Sequence, residues 1–62
     1  MLKEELIEKA SKGDSEAQYQ LGLYYCRLNK EKEALFWIRM SAEQGYAKAK
    51  DLLLEIRNKS KF

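Results

Sequence analysis

Two stretches of the chain, ASKGDSEAQYQL (residues 10–21) and AEQGYAKAKDLL (residues 42–53), share a spaced set of small and apolar residues. In each stretch Ala, Gly, Ala and Leu stand at relative positions 1, 4, 8 and 12, so that Gly45 repeats Gly13. We call this shift, from Gly13 to Gly45, the repeat offset. Its size is typical of helical repeat proteins, in which each repeat packs on its neighbours. The repeated stretch therefore predicts an all-α chain.

The length and composition limit what such a chain can contain. Its 62 residues make one domain (1–62) with a small core. With Cys26 as the single cysteine and no histidine, the chain has neither an internal disulfide nor the residues of a structural zinc site. We expect no metal and no cofactor. Twelve basic and ten acidic residues alternate along the chain, as on solvated helix faces.

The N-terminal sequence MLKEELIEKA contains no uninterrupted apolar segment of the kind found in signal peptides. No run approaches the ~18 apolar residues of a membrane span. These features predict a protein without a membrane segment and with a cytoplasmic location.

Apolar residues recur with helical spacing in four segments, which predict four helices. The segments are residues 2–12, residues 15–28, a stretch that follows NKEKE (29–33) and ends before Gly45, and residues 47–57. Gly13 and Gly45 are expected outside the helices, where glycine adopts the left-handed conformation of a helix stop. Gly22 is expected inside the second helix, at a close helix crossing.

Polar residues mark the ends of the second predicted helix. Either Asp14 or Ser15 can cap its N-terminus, and Gln18 stands three residues after Ser15, which is the spacing of a capping box. Asn29 is expected as its C-cap.

The order of small and aromatic residues resembles a known repeat. The pattern Ala10-x-x-Gly13-x-x-x-Ala17-x-x-x-Leu21-Gly22-x-x-Tyr25, followed by Ala34-x-x-Trp37 and Ala42-x-x-Gly45, is similar to the Sel1-like repeat, a relative of the tetratricopeptide repeat. The resemblance implies one full repeat at about 13–44 flanked by half repeats. It also implies antiparallel helix pairs in a right-handed, tetratricopeptide-like α-solenoid fragment. The chain departs from the family in lacking its Gly-x-Gly-Val loop, and in having Leu54 where a second copy would repeat Gly22.

Residues with catalytic patterns are missing from the sequence. There is no histidine, no glycine-rich phosphate loop and no nucleophile elbow, and no base near Cys26 in the sequence would activate its thiol. We therefore expect a non-catalytic protein with no catalytic residue.

Helical repeats of this kind resemble scaffolds that bind partner proteins, and we expect a small protein-protein interaction module. In the tetratricopeptide-like folds that the chain resembles, the first helix of each pair lines the concave side. The resemblance therefore implies that the second and fourth helices lie on this side. The expected contact residues are Tyr19, Leu23, Cys26 and Arg27 on the second helix and Lys48, Asp51 and Glu55 on the fourth. Tyr19, Leu23 and Arg27 form one ridge, because they are spaced four residues apart. In the competing interpretation, helix 4 or a second subunit covers Tyr19 and Leu23, which would then belong to the core.

Two other functions stay open at this level. A short chain beginning at Met1 also suits a bacterial or phage inhibitor, or an immunity protein, that blocks one target enzyme. Binding to nucleic acid through Arg57, Lys59 and Lys61 is a further alternative, although a solvated tail explains these residues more simply.

A homodimer is also expected. The repeat offset aligns Phe36, Trp37 and Met40 with Glu4, Glu5 and Glu8, so the N-terminal end has charged residues at these positions. The C-terminal end instead has Leu54 and Phe62, an apolar surface that isologous self-association would cover.

Overall fold

The computed structural model describes residues 3–59, which form four α-helices. The helices are α1 (Lys3–Ser11), α2 (Ser15–Arg27), α3 (Glu31–Glu43) and α4 (Ala47–Lys59). No strand occurs within residues 3–59, so the predicted all-α fold is confirmed. None of the helices described is long and apolar enough to cross a membrane.

The start of α3 is where the predicted helix bounds differ most from the structure. The helix begins at Glu31, inside the charged NKEKE stretch, and so earlier than expected. Its first three residues are exposed and include Glu31 and Glu33, whose negative charges suit the positive end of the helix dipole. The apolar pattern therefore missed a polar first turn. The other predicted ends agree with the structure within the usual uncertainty of helix termini.

The three turns between the helices share one hydrogen-bonding pattern. Their central residues are evenly spaced along the chain and have positive φ angles of 100° at Gly13, 60° at Asn29 and 92° at Gly45. In each turn the next N–H donates to a carbonyl five residues earlier. These bonds are Asp14 N to Lys9 O (3.1 Å), Lys30 N to Tyr25 O (2.9 Å) and Tyr46 N to Ser41 O (3.2 Å). Each turn is therefore a Schellman helix stop, and one helix with its turn makes a unit half as long as the sequence repeat.

Asn29 explains how the second turn forms without glycine. The C-cap of α2 is Leu28, one residue earlier than expected, and Asn29 lies just beyond it in the left-handed conformation. Asparagine tolerates this conformation better than most residues with a side chain. The predicted positions of Gly13 and Gly45 outside the helices are confirmed.

The N-terminus of α2 is capped by Asp14, whose Oδ1 accepts a hydrogen bond of 3.2 Å from the backbone N–H of Ala17. The expected capping box between Ser15 and Gln18 was wrong. Gln18 is completely buried, and its side chain contacts other helices instead of the N-terminus of its own.

Buried polar groups link the ends of α1, α2 and α3. Gln18 Nε2 donates to the carbonyl of Ala10 at 3.0 Å, and Gln18 Oε1 accepts from Gln44 Nε2 at 2.6 Å. Ser41 Oγ donates to the carbonyl of Ser15 at 2.7 Å. Because Gln18 and Ser41 are fully buried, these bonds satisfy groups that water cannot reach.

The core explains why the quoted stretch occurs twice. Each helix packs mainly on the helices next to it in sequence. One buried cluster consists of Leu6, Ala10, Ala17 and Leu21, and the other of Ala34, Ile38, Ala42 and Ala49. The repeated alanines are therefore core residues that allow adjacent helices to approach closely. Tyr24, Tyr25 and Trp37 are partly buried against the first cluster.

Gly22 lies where α2 and α3 approach each other closely. A Cβ atom built on Gly22 would collide with Cγ1 of Ile38, and it would lie 3.2 Å from the backbone oxygen of Ala34. The predicted close crossing at this glycine is confirmed.

Candidate functional site

The residues of the predicted ridge on α2 have different surroundings. Tyr19 is partly buried, packs against the second core cluster, and has its ring centroid 5.3 Å from that of Tyr46. Tyr46 immediately precedes α4, so the side of Tyr19 that faces α4 is a packing surface. Tyr19 therefore combines a structural contact with a partly exposed ring.

Leu23 lies on the more open part of this ridge. It is partly exposed and is not among the residues packed against either core cluster. It lines a surface depression of about 390 Å³, here named the α1–α2 groove. The lining residues are Leu6, Tyr19, Gln20, Leu23, Tyr24 and Arg27. The structure thus brings Tyr19, Leu23 and Arg27 together on one surface.

Two positively charged residues are associated with the α1–α2 groove, Arg27 in its lining and Lys3 over the ring of Tyr24. Arg27 is exposed in the last turn of α2, and the ammonium of Lys3 lies 5.6 Å from the ring centroid of Tyr24. A cation over a tyrosine ring is attracted by the negative face of the ring. The α1–α2 groove therefore combines the apolar side chains of Leu6 and Leu23 with Arg27 in its lining, and Lys3 lies over the ring of Tyr24.

Cys26 lies outside the α1–α2 groove. It packs against the second core cluster and lines a separate depression that includes Glu31 and Ile56. Burial raises the pKa of the Cys26 thiol, and the negative charge of Glu31 raises it further. A raised pKa keeps the thiol protonated, whereas a nucleophilic cysteine needs the thiolate.

The predicted contact residues of α4 lie apart from the groove. Lys48, Asp51 and Glu55 are exposed, and none of them lines the α1–α2 groove. Within residues 3–59, no side-chain hydrogen bond or ion pair involves any of the three. Their charges are therefore available at the surface.

Some of the residues predicted to act at the C-terminal end lie within the described part of the chain, and others lie outside it. Leu54 is exposed over 56% of its surface, whereas Phe62 and Lys61 lie outside the described residues. Arg57 and Lys59 are exposed in the last turn of α4. Arg57 lines a further depression together with Arg39 of α3.

Sequence reasoning missed three residues of the α1–α2 groove, namely Leu6, Gln20 and Tyr24. The helical spacing places Leu6 and Tyr24 on apolar stripes. Nothing in the sequence indicates that part of each side chain remains accessible from the groove. The antiparallel pairing of α1 and α2 could have placed Leu6 opposite the C-terminal half of α2.

Within residues 3–59, no group of three His, Cys, Asp or Glu residues could hold a metal ion.

Comparison with known proteins finds a relative whose name describes Sel1 repeats. The Sel1-repeat-containing protein YbeQ of Escherichia coli (strain K12) is 42% identical over 44 residues. The chain is similar to a Sel1-repeat protein. The match covers 63% of this chain but only 14% of YbeQ, so the chain corresponds to a small part of that protein. No protein-family model and no solved structure matches the chain.

Proposed function

We propose that the chain is a non-catalytic module that binds a partner protein along the α1–α2 groove. The observation that carries this proposal is the position of Leu23, partly exposed in a groove that also contains Tyr19, Tyr24 and Arg27. Tyrosine and arginine are enriched among the residues that contribute most to protein interfaces. An aliphatic side chain between them offers an apolar contact with a polar rim.

The proposal assigns the charged residues of α4 to a second part of the binding surface, apart from the α1–α2 groove. Lys48, Asp51 and Glu55 are exposed and carry mixed charge. Charges at the edge of an interface mainly select and orient the partner and contribute little affinity. We therefore assign affinity to Leu23 and Arg27, and orientation to the α4 residues.

The similarity to YbeQ supports the same class of function. The name of that protein describes Sel1 repeats, and helical repeats present extended surfaces to other proteins. The proposal transfers to this chain only the use of such a surface, without a named partner.

A capture experiment with matched variants tests the proposal. The tagged chain is used to capture proteins from a lysate, and each captured protein is purified and titrated by calorimetry. We expect Leu23→Ala and Arg27→Ala each to weaken binding at least tenfold, about 1.4 kcal/mol, while leaving the melting temperature nearly unchanged. Lys32→Ala, which truncates an exposed residue of α3, serves as the control.

Tyr19→Ala is expected to differ from Leu23→Ala. Because Tyr19 packs against Tyr46 and the second cluster, its truncation should lower the melting temperature as well as the affinity. If Leu23→Ala and Arg27→Ala bind every captured protein as tightly as the parent chain, the α1–α2 groove is not the binding surface. Binding that disappears steeply with added salt for all variants would instead indicate nucleic acid in the captured material.

A further inference from the structure

A second surface depression lies between the last two helices, and its chemistry differs from that of the α1–α2 groove. This α3–α4 groove has a volume of about 410 Å³. Its lining residues are Leu35, Arg39, Leu53, Ile56 and Arg57. Three of them are apolar, two are arginines from different helices, and none is acidic. Two of the three arginines in the chain thus flank one apolar floor.

The repeat offset identifies what this groove corresponds to elsewhere in the fold. Shifting its residues back by that offset gives positions on α1 and α2. These positions are Lys3, Ile7, Leu21, Tyr24 and Tyr25. Leu21 is completely buried there, and Trp37 of α3 packs against the same cluster as Ile7, Tyr24 and Tyr25. The α3–α4 groove is therefore the open counterpart of a surface that α3 covers.

The helix that corresponds to α3 is α1, and its charge suits this groove. At the repeat offset, Glu5 takes the position of Trp37, with Glu4 and Glu8 beside it. All three glutamates are exposed. A helix that packs on the α3–α4 groove as α3 packs on α1 and α2 would place a residue equivalent to Trp37 over the groove.

We propose that α1 of a second copy of this chain packs in the α3–α4 groove, with its Glu5 between Arg39 and Arg57. Arginine forms paired, charge-assisted hydrogen bonds with carboxylates, and two arginines at one site can share one acid. Opposite charges on the two surfaces also favour this orientation over others. Each copy has one α1 and one groove, so the contact joins copies head to tail.

Leu54 makes this contact looser than its counterpart within the chain. Leu54 takes the position of Gly22, where even a Cβ atom would collide with α3. The incoming helix must therefore stay farther from α4 than α3 stays from α2. The proposed association is consequently reversible and depends on its charges.

The charges around Leu54 favour this arrangement over an isologous dimer. Lys50 and Arg57 stand four residues before and three residues after Leu54, on the same face of α4. Pairing two such faces would bring four positive charges together. Packing α1 against the α3–α4 groove instead brings acidic residues to basic ones.

Sedimentation equilibrium over a range of concentrations, at low and high salt, tests the proposal. We expect concentration-dependent association at low salt that weakens at high salt. The variants Arg39→Glu/Arg57→Glu and Glu5→Arg/Glu8→Arg should each weaken association at least about tenfold, because each places like charges together. Lys32→Glu, a charge reversal on an exposed part of α3, is the control, and circular dichroism verifies that every variant is folded.

Mixing the two charge-reversed variants gives the decisive result. Each variant repels itself, but the reversed groove of one matches the reversed α1 of the other, and the two unaltered surfaces also match. We expect the equimolar mixture to associate about as well as the parent chain. A parent chain that stays monomeric at millimolar concentration overturns the proposal. Association that survives both double variants, or a mixture that stays monomeric, also overturns it and assigns self-association to another surface such as Leu54.

Discussion

Replacing Gly22 by alanine tests the close packing of α2 on α3. Helix propensity alone predicts that this change raises the free energy of unfolding, whereas overpacking at the helix crossing predicts that it lowers it. Alanine in place of glycine stabilises an exposed helix position by about 1 kcal/mol. At Gly22 the added Cβ would collide with Ile38 Cγ1 and would also lie 3.1 Å from Cδ1 of that residue and 3.2 Å from the backbone oxygen of Ala34. The side chain of Ile38 is fully buried and has little space to move, and the Ala34 oxygen can move only with α3.

Overpacking of this kind costs about 1 to 3 kcal/mol, and contact with a rigid backbone places Gly22 in the upper part of that range. After the gain in helix propensity is subtracted, we expect Gly22→Ala to lower the free energy of unfolding by about 1 to 2 kcal/mol. For a domain of this size each kcal/mol corresponds to about 4 to 8 °C in melting temperature.

Urea unfolding, followed by circular dichroism and by Trp37 fluorescence, measures this change. Gln20→Ala and Gln20→Gly provide the control, because Gln20 is exposed on the same helix and their difference gives the propensity term directly. A Gly22→Ala chain at least as stable as the parent would refute the close crossing. It would mean that α2 and α3 separate at little cost.

Three further predictions concern the turns, the buried amide and the thiol. Asn29→Ala should destabilise the chain by about 1 kcal/mol or more because alanine strains a left-handed position, while Asn29→Gly should not, and thermal melting compares the two variants. Gln18→Ala should cost about 1 to 3 kcal/mol in urea unfolding because it removes the buried partner of the Ala10 carbonyl and of the Gln44 amide, whereas Gln20→Ala should be nearly neutral. The raised pKa of Cys26 means that the unfolded thiol ionises first, so stability should fall as the pH rises from the ordinary thiol pKa toward the folded one. This loss should be smaller in Cys26→Ala, and equal pH profiles for the two chains would contradict it.

The sequence predicted the helices and turns well because their signals are local. Gly13 and Gly45 stop helices through their own backbone freedom, and the repeated alanines mark a core wherever two helices must approach closely. Gln18 shows the limit of such signals. Its spacing from Ser15 indicated a local cap, but its partners at Ala10 and Gln44 are brought to it only by the packing of three helices.

The candidate site was harder to predict for the same reason. The four-residue spacing placed Tyr19 and Leu23 together on one ridge of α2. Spacing along one helix contains no information about which other helices pack against that ridge. In the structure the Tyr46 ring covers part of Tyr19, while Leu23 remains at the open groove. The sequence also contained no sign that Arg39 and Arg57 line the same groove. The two arginines belong to different helices, and only the packing of α4 on α3 brings them to one groove.

The packing of each helix mainly on its sequence neighbours has a consequence for motion. Helices α2 and α3 are held on both sides, whereas α1 and α4 are each held mainly on one side. The outer helices should therefore detach and reattach while the central pair stays folded, and their amide hydrogens should exchange with solvent faster. Each groove includes one outer helix, so any molecule bound in a groove must also hold that helix in place. Ligand binding and helix order are then linked, and slower amide exchange in α1 would report an occupant of the α1–α2 groove before its identity is known.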